Sequence, residues 1–211
     1  LDNQQIYKKN KLYDMGINVR GIATSIKTKD ISELTNKLGL PTPTLIDKTY
    51  FENAISNSIE NNEIFLTISS KGTILTVGDE VAIESMPIGN LSLDGKAMNF
   101  IVGETSMIFA FDFYENGELL RSVINAEDQN LKAEGELLDI EHSEDDFTEL
   151  IFSLMETVSG DSIYTLEPDA ESVRYKFILE DDKAKDEITD TAIATEEHSI
   201  EENIKPWWKF W

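Results

Sequence analysis

The chain has no cysteine and only two histidines, His142 and His198, in 211 residues. The first absence excludes disulfides, thiol nucleophiles and thiolate-bound zinc. The second leaves little imidazole chemistry, because neither histidine has a second His or Cys at ligand spacing. Nothing resembles the G-x-S-x-G elbow of a Ser/His/Asp hydrolase. Walker A and G-x-G-x-x-G phosphate loops are missing, as is the D-x-[DN]-x-[DN]-G frame of a calcium loop. No apolar run approaches the roughly 20 residues that span a bilayer. Positive charge is scarce as well: 18 Lys and Arg stand against 41 Asp and Glu, for a formal charge of −23. A surface of that sign repels phosphate backbones and anionic lipid, so neither nucleic acid nor membrane is an expected partner. No metal or cofactor is expected, a non-enzymatic role follows, and the cysteine-free composition fits a reducing cytoplasm.

What is present is a chain of ordinary globular composition, 40% hydrophobic and 28% charged, long enough to bury a core without staples. Its charge is unevenly placed. The first 50 residues hold eight bases and five acids, residues 51–180 hold six bases and 27 acids, and residues 181–211 hold four and nine. The negative field therefore belongs mainly to the central region, where folded structure is expected.

Residues 1–20 read as a polar lead-in, 21–180 as one domain and 181–211 as an acidic tail. Gly21–Ile26 has strand composition. Asp30 then offers an N-cap with Glu33 three residues on, Ile31, Leu34 and Leu38 follow at helical spacing, and Gly39 closes the segment. A second helix is expected from about Asp47, with Tyr50, Phe51, Ala54, Ile55 and Ile59 as its buried stripe. From residue 63 the period changes to two. Residues 64–69 and 73–77 read as a hairpin about Lys71-Gly72, and Val81–Ile83 as a possible extension of the sheet. Met107, Phe109, Phe111 and Phe113 alternate on one face, Asn116-Gly117 supplies a type I′ turn, and residues 119–123 return. A third helix starts in Ser143–Asp146 with a variant capping box. Phe147, Leu150, Ile151, Leu154 and Val158 form its stripe, and Gly160 ends it. Residues 172–178 alternate as a last strand. Hairpin-linked strands in succession favour an α+β fold, an antiparallel sheet with about three helices packed on one face, plus the acidic C-terminal tail.

Two features stand out as candidate contact surfaces. One is the acidic stretch Glu127, Asp128, Glu134, Glu136, Asp139, Glu141, Glu144, Asp145 and Asp146. The other is the chain end, where all three tryptophans fall within five residues as Trp207, Trp208 and Trp211, together with Phe210. Exposed aromatics at that density dock somewhere, either on the parent domain or on a partner.

Several segments resemble a family frame: a short helix ending in Leu38-Gly39-Leu40, the hairpin of residues 64–77, the run Phe111 to Gly117-Glu118-Leu119-Leu120-Arg121-Ser122, and Glu134-Gly135-Glu136-Leu137-Leu138. Together they are similar to small acidic bacterial proteins of toxin-immunity type over about residues 21–178. The Trp usual in the second strand of that hairpin is replaced by the Ile74-Leu75-Thr76-Val77 run. The resemblance implies a structural frame with no catalytic residues. The reading is thus a protein-binding module, of immunity or inhibitor type, whose acidic face covers a basic protein partner. The alternative is a regulatory or assembly adaptor that captures its partner through the aromatic-tipped tail.

Overall fold

A computed structural model describes residues 16–56, 59–127, 129–144 and 146–178. The chain divides into two units, Leu1–Ile178 and Leu179–Trp211, and every described residue lies in the first. The expectations for the lead-in up to residue 15 and for the tail with Trp207, Trp208, Phe210 and Trp211 fall outside the described residues, as do Asp128 and Asp145.

Among the described residues nine strands form one antiparallel sheet. In chain order they are β1 (Asn18–Thr24), β2 (Thr44–Tyr50), β3 (Glu63–Ile68), β4 (Thr73–Val77), β5 (Lys96–Gly103), β6 (Ile108–Glu115), β7 (Glu118–Ala126), β8 (Gln129–Gly135) and β9 (Glu171–Lys176). Their spatial order is β2-β9-β3-β4-β1-β5-β6-β7-β8. The helices are α1 (Ile31–Lys37), the single turn α2 (Phe51–Ala54) and α3 (Phe147–Ser159). An antiparallel sheet with few helices is thus the architecture, in the α+β class.

The local signals account for the hairpins and caps. Asn116 and Gly117 both take positive φ, 52° and 85°, between β6 and β7, as a type I′ turn requires. Asp30 caps α1 by accepting from the Ser32 backbone N–H at 2.9 Å. Asp146 caps α3 by accepting from the Glu149 N–H at 3.0 Å, so the cap is Asp146 and not Ser143. Gly160, at φ 90°, ends that helix.

Alternation along the central strands fills two cores. Ala23, Phe65, Ile74, Met98, Phe100, Phe111 and Val123 point to a first face, covered by Phe51 and Ala54 of α2 and by Leu150, Ile151, Leu154, Met155 and Val158 of α3. Ile22, Ile64, Leu66, Leu75 and Val77 point to the second face, covered by Ile31 and Leu34 of α1 and by Ile83, Ile88 and Leu91. The expected packing of all helices on one face is therefore corrected. The central strands are apolar on both sides, and each side needs a cover.

Further differences have similar causes. Residues 44–50 are strand rather than the start of a helix, because β9 offers them a hydrogen-bonding edge. Only Phe51, Ala54 and Ile55 of the expected stripe are buried, and Tyr50 is exposed. Val81 and Ala82 lie outside the sheet, and Ile83–Ser85 is a 3-10 turn. Met107 stands before β6 with φ 51° and is exposed, so the face it was expected to share starts at Phe109.

Candidate functional site

The three arginines of the chain, Arg20, Arg121 and Arg174, all pair with glutamates inside the fold. Arg20 Nη2 lies 2.8 Å from Glu84 Oε1 and also donates to the carbonyls of Asp79 and Val81 at 3.0 Å each. Arg174 pairs with the fully buried Glu63 on the neighbouring strand. Arg121 meets Glu141 through Nε at 2.9 Å and Nη2 at 2.9 Å, a bidentate fork. Both of these side chains are less than a tenth exposed. With every arginine committed to an internal partner, the exposed cations are lysines.

Arg121 is also what places the acidic stretch. It stands on β7 opposite Gly135 at the end of β8, and its Nη1 donates to the Glu134 and Gly135 carbonyls at 3.3 and 3.2 Å. Glu141 accepts in addition from the Leu138 N–H at 2.9 Å, closing a box over the 3-10 turn Asp139–His142. The chain leaving β8 is therefore clamped where it turns under the sheet. Leu138, Ile140 and Phe147 then pack on the first-face core. Phe147 stacks on Phe109 at 5.8 Å, and Phe109 lies four residues along β6 from Phe113, the partner of Arg121. Leu138, Ile140 and Phe147 thus lie along the first face, with Phe147 toward the Glu127 end of β8.

This path leaves Glu127, Glu134, Glu136 and Asp139 on or beside the β8 margin of the sheet, while Glu144 and Asp146 lead into α3. Glu127, Glu134, Glu136 and Asp139 are exposed, and Glu144 is half-buried. Asp146 is exposed but engaged as the α3 cap. Glu141 departs from the expected role, because its carboxylate is buried against Arg121 and faces no partner. The electrostatic result is visible at Glu149. Partial desolvation raises its carboxyl above the usual value, and repulsion from Asp146, Glu144 and Glu156 raises it further. Only Lys132 offers a base along β8 itself, and it is held by Glu134 at 3.3 Å.

The margin is also apolar in places. β8 is the last strand, and no backbone partner beyond β7 is found for it among the described residues. Leu131 and Leu137 are 54% and 57% exposed, and Leu119 and Leu120 of the adjacent strand β7 are exposed as well. Sequence reasoning found the carboxylates and missed these leucines, because residues 129–135 carry no alternation that announces a strand.

Other parts of the fold gather less chemistry. A cleft of about 450 Å³ lies where β1, β4 and β5 end, lined by Asn18, Arg20, Asp79 and Ser106 among others. Its polar groups are largely occupied: Asn18 bonds Thr105 at 2.9 Å and Ser106 bonds the Gly103 carbonyl at 3.3 Å. On the second face Asp112 accepts from Asn99 and Ser122, a ladder across three strands that ties β5, β6 and β7 together. Among the described residues no group of three His, Asp or Glu is placed to hold a metal ion, and no helix is long and apolar enough to cross a membrane. Comparison with protein-family models, with curated proteins and with solved structures finds no match to this chain.

Proposed function

We propose that the protein is a non-enzymatic binding module of immunity or inhibitor type, whose acidic margin covers a basic protein partner. One observation carries this reading: the exposed carboxylates Glu127, Glu134, Glu136 and Asp139 are gathered on a sheet edge that the Arg121–Glu141 pair holds in place. Opposite charge at such a margin speeds encounter and excludes acidic competitors, while the leucines among the carboxylates supply apolar area to bury. The same negative field disfavours direct contact with nucleic acid. Residence in the cytoplasm is part of the proposal and is compatible with a cysteine-free chain.

The test is capture of basic proteins by the full chain and by a Glu134→Lys/Glu136→Lys/Asp139→Lys variant, at low and at high salt. The expected outcome is capture at low salt that fades as salt rises and is lost in the variant. Capture that withstands high salt, or that survives the triple reversal, overturns the electrostatic reading. A chain ending at residue 204 serves as the third arm, since loss of capture there would assign the contact to the tail.

A further inference from the structure

Resting on that reading, we propose how the partner is held: it adds a short basic strand to the free edge of β8, beside Lys132–Gly135. A terminal strand exposes alternate N–H and C=O groups, and an extended peptide satisfies them. Proteins commonly block such edges with a bulge or a lysine. In β8 the register shifts opposite Ile124 and Asn125 and leaves Leu131 unpaired, which shortens the regular template without removing it. The one lysine, Lys132, is neutralised by Glu134. Gly135 takes φ 86° and turns the chain at the end of β8, so the regular template ends there, with Glu136 and Leu137 exposed just beyond it.

The register specifies the chemistry of the added strand. Lys132 and Glu134 stand opposite Ile124 and Ser122 on the second face, whereas Ala133 and Gly135 stand opposite Val123 and Arg121 on the first. An added strand therefore meets the Lys132–Glu134 pair on one face and two small residues on the other. Basic side chains are drawn by the exposed acids that flank the strand, and apolar ones fill the space over Ala133 and Gly135. The predicted ligand is a segment that alternates basic and apolar residues, its cations drawn by Glu127, Glu134, Glu136 and Asp139. The opposite edge of the sheet, β2, is equally open and likewise carries one acid and one base, but Lys48 there is paired with Glu171, whereas Glu127, Glu136 and Asp139 lie exposed at the two ends of β8.

The experiment compares two blocked peptides of equal charge and length, one alternating Lys and Val, the other alternating Lys and Pro, as ligands for the full-length protein at low salt. Proline has no N–H to give the edge. The expected result is binding of the Lys/Val peptide at least about tenfold tighter than the Lys/Pro peptide, with slowed amide exchange confined to residues 131–135. Equal affinity with no change in exchange overturns strand addition and leaves the acidic-margin reading standing. Protection at residues 44–50 instead assigns the docking edge to β2 and overturns the proposal. Failure of both peptides to bind overturns both readings.

Discussion

The two edges of the sheet share one geometry and differ in charge. β2 and β8 are both terminal strands of seven residues, both carry a register shift, and both are almost wholly exposed. At the β2 edge charges are matched. Lys48 meets Glu171 at 3.2 Å, Lys176 meets Glu60 at 3.0 Å, and Arg174 pairs with Glu63. Asp47 adds to the field that holds Arg174 in its charged form, though the hydrogen bond from Arg174 to Glu63 is the larger cause. At the β8 edge the one arginine is spent inward on Glu141, and of the carboxylates outside it only Glu134 has a cation beside it, Lys132. A net charge of −23 is thus not spread evenly over the molecule. The difference teaches that internal pairing decides which surface remains charged.

Breaking the braces at the two edges should expose that contrast most strongly. Arg121→Ala leaves Glu141 buried without its cation, and removal of one partner from a buried pair costs about 3–5 kcal/mol. Lys48→Ala removes an exposed pair and should cost less than about 1 kcal/mol. Urea unfolding of the two variants checks this, and equal midpoints would show that the Arg121 clamp does not hold the acidic margin. A smaller effect is expected at the helix that follows the acidic stretch. Asp146→Ala removes the α3 cap at about 1 kcal/mol, less whatever is regained by relieving Glu149 of a neighbouring charge. Asp146→Asn keeps the cap and should be neutral or slightly stabilising, measured as thermal midpoints side by side.

The smallest effect belongs to the middle of the sheet, where Arg20 and Glu84 pair between the two edges. Burial raises the Glu84 carboxyl above its ordinary value; Arg20 opposes the rise and Asp112 adds to it. Asp79 stands 4.0 Å from the same arginine. An acid raised in the folded state contributes stability that is complete below its unfolded pKa and is lost as pH rises through the folded value. The stability of Glu84→Gln relative to the parent should therefore be greatest near neutral pH and decline as pH falls toward about 4. A difference that grows on acidification would reverse the assignment.

Where contacts are local, the chain was legible. Asp30 as a cap, Gly39 and Gly160 as terminators, and Lys71-Gly72 and Asn116-Gly117 as turns each act over four or five residues, so spacing alone reveals them. β5 escaped notice because it is apolar on both faces in a central position, and the polar residue within it, Asn99, is satisfied by Asp112 on the next strand, with Lys96 only at its start. β8 escaped for the opposite reason, since an edge strand exposed on both faces needs no alternation. Residues 47–50 looked helical because their apolar spacing continues into Phe51 and Ala54. An edge supplied by β9, more than a hundred residues away, made them a strand.

The candidate site divides along the same line. Composition by itself determined that the folded region is strongly acidic, and order along the chain placed nine of its 27 acids between Glu127 and Asp146. Which of them face solvent was decided only in three dimensions. Glu141 looks no different from Glu136 in the sequence, yet Arg121, 20 residues earlier, takes it into the fold and leaves Glu136 outside. The reason is physical: charge is additive along a chain, whereas pairing depends on which strands the sheet brings side by side. Neighbouring residues set the caps and turns, and long-range strand pairing set the two edges and the different charge each of them presents.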